Sequence, residues 1–432
     1  MFEKNLELLK KIVQNVAYVR ELDRYYFYID SGWKECSKKN LEFIVKQMIK
    51  KEIDNSDNIS IKGELKAILS KKDSFSTYLT DFLNRIQEIS LVNIDKLNGS
   101  PNLLRTKSNH YDLQENKVAE FGIKTNYMIN MLGTNFDPEV KAPKWEKFIS
   151  EIASNNLEYA GFLQRLIGYT LSGYNVEQCL FILLGTGANG KTVFTETIKN
   201  LLGTYANMAD KKLLEKNGKG ADKEISNLIG KRLVILNELD SDTKIRIDTF
   251  KKITGSDSLF FEFNKQHVEF QNTAKIFILS NTFPDIQDYT YATWRRIKIL
   301  PFNNQFDGEN RDLFLIEELK KELPGILNWA IEGYKLWREE GYLRDPEIVL
   351  KAKQDVLYKL DPVALFIDEK CNINENDKCS SADLYSAHKE WCKDDIQPFA
   401  SNKFGTILSA KGFKQIRLSD GNRGYGGLSL KA

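Results

Sequence analysis

The sequence predicts a multidomain α/β protein, and three observations predict it. The first is size: 432 residues with 42% hydrophobic content supply apolar material for two or three separate cores. The second lies in the middle third, where apolar strand-like runs at 179–184, 232–236 and 274–280 each follow a helical or loop stretch. That alternation is the pattern of a sheet covered by helices. The third is the C-terminal end, where three helix candidates precede two short strands.

Residues 1–142 mix amphipathic stretches (NLELLKKIVQNV, LEFIVKQMIKK) with the aromatic strand-like run RYYFYIDSGW, which predicts a compact mixed α/β accessory domain. Residues 143–345 form the predicted core. The helical stretches KWEKFISEIASNN and YAGFLQRLIGYTLSG lead into it, and one long helical segment, LFLIEELKKELPGILNWAIEGYKLWREEG, closes it. Around 342–356 the pattern becomes charged and less periodic, as in a linker. Residues 346–432 then hold PVALFIDEKC, SADLYSAHKEWC and SNKFGTILSAKG, with a hairpin around 420–424. Three helices and a turn-rich hairpin spell a winged helix.

Charge decides little globally. With 62 basic against 60 acidic residues, a net charge of +2 leaves nucleic-acid contact to local clusters. No apolar run is long enough to span a bilayer, and the start MFEKNLELLKK lacks the apolar core of a secretory signal, so a cytoplasmic protein without membrane contact is expected. Five cysteines, odd in number and without a CxxC pair, are expected to be reduced thiols. Cys371, Cys379, His388 and Cys392 do not have the spacing of a zinc knuckle.

The sharpest motif is Gly185-Thr186-Gly187-Ala188-Asn189-Gly190-Lys191-Thr192, which satisfies GxxxxGK[ST] between an apolar strand and the helix-like TVFTETIKNLLG. Glycines at those places let successive backbone N–H groups face one anion. The helix N-terminus adds partial positive charge, Lys191 reaches the β and γ phosphates, and the Thr192 hydroxyl is a Mg²⁺ ligand. The motif therefore predicts ATP and Mg²⁺ as ligands. A second strand, 232–236, runs into Asn237-Glu238-Leu239-Asp240. A carboxylate there suits orientation of a water or a water-mediated hold on Mg²⁺, and Glu238 is the candidate. A third strand ends at Asn281, whose amide suits a γ-phosphate or lytic-water contact. Trp294-Arg295-Arg296 then precedes the strand-like IKILPF. An arginine offered to a neighbouring subunit's nucleotide would stabilise transition-state charge, and two adjacent arginines are otherwise a solvated edge.

GTGANGKT, RLVILNELD, FKKITGSDSL, TAKIFILSNTFP and WRRIKILPF, in that order, resemble the superfamily 3 helicase core of the poxvirus, phage and plasmid primase-helicase family. The resemblance continues through ELPGILNWAIEGYKLW, and covers the first 140 residues only in scattered places. It implies an α/β P-loop AAA+ core, a homo-hexameric ring with ATP between subunits, and 3′ to 5′ translocation on single-stranded and forked DNA. The replicated element would be a phage, plasmid or genomic island. It assigns Lys191 and Thr192 to nucleotide and Mg²⁺, Glu238 to the acidic second motif, Asn281 to the sensor and Arg296, ahead of Arg295, to the finger. Many members of the superfamily have an acid where this chain has Asn237, which leaves Glu238 acting alone or with Asp240.

In that superfamily a hairpin between the second and third motifs grips DNA in the channel. SLFFEFNKQHVEFQNTA occupies that place, with a turn expected at 264–266 and Lys265 and His267 as the DNA-binding candidates. The last 32 residues hold six basic groups against one acid. That surplus suits duplex DNA, including origin duplex, through a recognition helix at 402–410 and through Lys403, Lys411, Lys414 and Arg423. Host replication factors or a partner primase are further expected partners. The rival readings are an origin-melting initiator without processive unwinding, the helicase part of a primase-helicase and, last, a metabolic P-loop kinase.

Overall fold

The computed structural model describes residues 14–29, 32–55, 59–70, 72–119, 127–215, 220–237, 239, 245–263, 266–284, 286, 288, 290–306, 312–392 and 398–431. The chain divides into two compact units, Met1–Pro346 and Glu347–Ala432.

The first unit opens with an antiparallel sheet, β1 (Val16–Val19), β2 (Arg24–Ile29) and β3 (Gly32–Cys36), in that spatial order. Three helices follow: α1 (Lys38–Asn55), α2 (Ile59–Ser70) and α3 (Lys72–Ile89). Leu41, Val45, Ile49 and Ile53 recur at helical spacing along α1 and pack with Tyr18, Tyr25 and Phe82 in one apolar cluster. The stretch NLELLKKIVQNV, expected to be helical, lies mostly outside the described residues, and its last residue, Val16, begins a strand. A second small antiparallel sheet comprises β4 (Leu103–Arg105), β5 (His110–Asp112) and β6 (Lys117–Ala119).

After α4 (Pro143–Ile152) and α5 (Leu157–Leu171) comes the central sheet. Its strands are β7 (Leu180–Leu184), β8 (Ala206–Ala209), β9 (Leu233–Asn237), β12 (Lys275–Ser280) and β13 (Ile297–Pro301). All pair parallel, in the order β13-β7-β12-β9-β8. LFILL and the IFIL within KIFILS are apolar because both faces of these strands are covered. Strand β8, ANMA, lies at the sheet edge and lacks the β-branched residues that mark its neighbours, so it went unread in the sequence. Between the strands lie α6 (Lys191–Leu202), α7 (Ala221–Ser226), α8 (Ile247–Thr254), the hairpin β10 (Leu259–Phe263) with β11 (Gln266–Phe270), and the single turn α9 (Tyr291–Trp294).

The segment predicted as one long helix is two, α10 (Leu315–Lys321) and α11 (Leu323–Glu340). Pro324 occupies the first turn of α11, where its missing N–H costs nothing, and it cannot sit inside a continuous helix. Helix α11 crosses α5 at Gly168 and Gly333. A Cβ on Gly333 would stand 2.1 Å from the Gln164 carbonyl oxygen, and one on Gly168 would stand 2.0 Å from the Tyr334 nitrogen.

The second unit begins with α12 (Glu347–Leu360), a helix across most of the segment expected to be a linker. Its charged residues form an ordinary solvated helix face. Then follow α13 (Pro362–Lys370), β14 (Cys371–Ser380), α14 (Ser381–Cys392), α15 (Ser401–Ala410), β15 (Lys414–Arg417) and β16 (Arg423–Leu430). Strand β14, CNINENDKCS, is too polar to read as a strand, yet it pairs with β16 in the antiparallel order β14-β16-β15. His388 is fully buried there, 4.6 Å from the Phe404 ring and 5.2 Å from Phe366. Among the described residues no group of three His, Cys, Asp or Glu side chains is arranged to hold a metal, and no helix is long and apolar enough to cross a membrane.

Candidate phosphate site

The loop at 185–192 joins the C-terminal end of β7 to the N-terminus of α6. Gly187 (φ 113°) and Gly190 (φ 84°) take left-handed backbone that other residues resist, and Ala188 (φ 48°) shares it. Gly190 is the residue before the first helical position, so the chain turns directly into α6. Lys191 is buried, and its ammonium donates to Gly185 O (2.6 Å), Asn189 Oδ1 (2.9 Å) and Asn281 Oδ1 (3.2 Å). Asn189 in turn donates to Phe302 O (3.0 Å), while Phe302 N reaches Leu184 O (2.8 Å) and Phe306 N reaches Ala188 O (2.7 Å). The segment after β13 thereby pins the loop. Thr186, Ala188 and Thr192 remain exposed.

The neighbouring strands end beside this loop. Register pairs Ser280 with Leu184 and Leu279 with Asn237, so the carboxyl ends of β7, β12 and β9 stand side by side. In α/β sheets that edge is where ligands bind. Asn281 follows β12 and meets Lys191 there; Asn237 ends β9, exposed. Glu238 and Asp240 lie outside the described residues.

Arg295 and Arg296 stand elsewhere. They precede β13, whose first residue, Ile297, pairs with Leu180, and Leu180 N donates to Arg296 O (2.8 Å). The pair therefore enters the sheet at the end opposite the phosphate loop, separated from it by the length of β7, roughly 13 Å at about 3.3 Å per residue. Arg295 donates to Gln178 Oε1 (3.2 Å), and Arg296 to Ala292 O (2.5 Å). Burial and the neighbouring Arg295 lower the Arg296 pKa, with Asp257 opposing them.

In the hairpin, Phe263 pairs with Gln266 and Glu262 with His267, so Gln266 belongs to β11 and not to the turn. His267 is exposed, and Lys265 lies outside the described residues. In the second unit Lys403, Lys414 and Arg423 are exposed, with the Lys403 ammonium 4.3 Å from the Phe399 ring centre. Lys411 differs: its ammonium is 2.5 Å from Asp361, which caps α13, so it holds two helices of that unit together.

Sequence reading placed Asn189 in the nucleotide loop without its anchor on Phe302, and gave no role to two buried cations at the amino ends of β9 and β12. Arg232 donates to the carbonyl oxygens of Leu171 and Leu103 (2.7 Å for Leu103) and lies over the Tyr205 ring at 4.6 Å. Lys275 donates to Ser172 O (2.5 Å) and lies 4.5 Å from the Tyr169 ring centre. The C-terminal carbonyls of α5 thus receive both charges, as the negative end of a helix favours. Burial, reinforced by Arg232, pushes the Lys275 ammonium well below the usual lysine range.

A parallel sheet with a glycine loop and a buried lysine at its carboxyl edge defines an α/β protein with a candidate anion site at that edge. Residues 7–154 match the family described as D5 N terminal like, and residues 183–296 match a family of unknown function (DUF5906). A protein of Acanthamoeba polyphaga mimivirus provisionally named helicase L207/L206 is 27% identical over 273 residues, 58% of this chain and 28% of that protein. Primase D5 of Fowlpox virus (strain NVSL) is 23% identical over 314 residues, 69% of this chain and 38% of that protein. The chain thus spans well under half the length of these relatives. The apo C terminal region of NrS-1 shares the fold, with a TM-score of 0.54 over 98% of each chain at 14% identity. The D5 N terminal like segment and these helicase-named and primase-named relatives support a replication protein of the primase-helicase kind.

Proposed function

We propose that this chain is an ATP-hydrolysing DNA helicase of superfamily 3, acting as a ring of six copies that translocates 3′ to 5′ on single-stranded DNA during replication. The observation that carries the reading is the placement of Lys191, caged by Gly185, Asn189 and Asn281 at one edge of the sheet, against Arg295 and Arg296 at the other. Two parts of one phosphoryl-transfer site at opposite ends of a strand cannot meet within one copy. Neighbouring copies in a ring bring them together. The strand order β13-β7-β12-β9-β8 supports an AAA+ core, and the order helix, strand, helix, helix, strand, strand that follows α12 in the second unit supports a winged helix.

The residues fit ATP and Mg²⁺. The Lys191 ammonium already holds three oxygen acceptors in the manner it would hold phosphate oxygens, and the exposed Thr192 hydroxyl at the start of α6 is placed as a Mg²⁺ ligand. Bound ATP and Mg²⁺ supply the scissile phosphate bond and the charge that neutralises it. Asn281 orients Lys191 and marks the γ-phosphate position, Glu238 activates water, and Arg296 or Arg295 of an adjacent copy stabilises the transferring group. Lys265 and His267 of the hairpin grip the translocating strand, while Lys403, Lys414 and Arg423 offer a basic surface to duplex DNA.

Strand displacement on a forked DNA tests this. The wild-type chain separates the strands only with ATP and Mg²⁺, and Lys191→Ala loses at least about 100-fold in ATPase together with unwinding. ATPase without displacement identifies an origin-melting protein instead, and full ATPase in Lys191→Ala removes the phosphate site.

A further inference from the structure

The one-turn helix α9 carries the arginine pair at its end, and a four-residue helix cannot hold itself together. One carboxylate does so from outside. Asp288 Oδ1 accepts from Thr290 N (2.9 Å), and Oδ2 accepts from Thr293 Oγ1 (2.7 Å) and from the Lys251 ammonium (3.0 Å). Its backbone carbonyl accepts from Trp294 Nε1 (2.9 Å). These bonds close on the residues immediately before Arg295 and Arg296. Lys251 belongs to α8, so the ion pair fastens the turn to a longer helix.

The packing is as tight as the bonding. Thr293 is fully buried, and the Trp294 ring stacks on Phe283 at 5.6 Å with the planes 16° apart. Arg295 N and Arg296 N then close the turn onto Tyr291 O (2.9 Å) and Thr293 O (3.0 Å). Burial would raise the Asp288 carboxyl, but the bonds from Thr290, Thr293 and Lys251 outweigh it and hold the group ionised well below the usual carboxylate range.

We infer that Asp288 is the positioning residue for the Arg295–Arg296 pair, fixing the backbone from which these arginines reach nucleotide held by an adjacent copy. The inference rests on the ring reading above. Asp288 touches no nucleotide; it acts through the arginines, where a displacement of about 1 Å costs on the order of 100-fold in rate.

The test mixes full-length chains, each inactive alone. Asp288→Ala keeps its phosphate loop, so it is expected to bind a fluorescent ATP analogue as the wild type does while its kcat falls about 100-fold. Lys191→Ala has a silent loop and intact arginines. Mixing the two restores ATPase, because the good loop of one faces the good arginines of the other. A second mixture, Lys191→Ala with the doubly substituted Arg295→Ala, Arg296→Ala chain, serves as control. Wild-type kcat in Asp288→Ala, lost analogue binding, or failure to recover while the control recovers overturns the positioning role alone. Failure of the control as well overturns the shared site and the inference with it. Should Asp288→Ala not fold, Thr293→Val, which removes one bond to Asp288 at nearly constant volume, takes its place with the same outcomes.

Discussion

Lys191 is buried, and desolvation makes oxygen partners for its ammonium obligatory. The proposed phosphate site rests on the exchange of these three acceptors for phosphate oxygens at a loop rich in glycine. Lys275 shows the contrast: its carbonyl and its aromatic ring lie at the other end of the strands, with no glycine loop beside them. His388 supplies a residue-scale prediction. Burial lowers its pKa to about 4, whereas an unfolded histidine titrates near 6.5. Between those values the unfolded state binds more protons, so stability falls as pH drops through the window and the contribution is fully present above about pH 6.5. His388→Phe, which keeps the ring packing, is expected to remove that dependence. Thermal unfolding at pH 5 and pH 7.5 checks it, and an unchanged pH slope contradicts it. Legibility at this scale followed locality. GTGANGKT and the amide ending β12 carry their chemistry in adjacent residues. Asn189, Arg232 and Asp288 gain their partners from segments far along the chain, such as Phe302, Leu103 and Lys251, which no local pattern announces.

Among the elements, the crossing of α5 and α11 at two glycines is the least forgiving contact. Gly333→Ala puts a methyl 2.1 Å from the Gln164 carbonyl, backbone that cannot swing aside, so overpacking is expected to cost about 1–3 kcal/mol. A lowered midpoint in thermal unfolding checks this, and an unshifted midpoint would mean that the helices can separate freely. Elements with strong apolar runs were readable: β7, β9, β12 and β13 follow from two-sided burial of Val, Ile, Leu and Phe. Strands β8 and β14 were not, because one lies at a sheet edge and the other is polar, and both are held by pairing more than by their own composition. The split between α10 and α11 is legible in Pro324, which starts a helix but interrupts one that runs through it.

At the scale of the whole molecule, the proposed function needs more than one copy of the chain. The glycine loop lies at one end of β7 and the arginine pair at the other, and in the proposed ring one repeated contact between copies would bring the two together. The strands and helices before α4 fall in the D5 N terminal like segment, and the similarity to helicase-named and primase-named viral proteins supports a replication function. The mass of the native assembly, measured with a non-hydrolysable ATP analogue and forked DNA, tests this most directly. The predicted result is a species of six chains. A chain that stays single under those conditions has no neighbour to lend it an arginine, and contradicts the account.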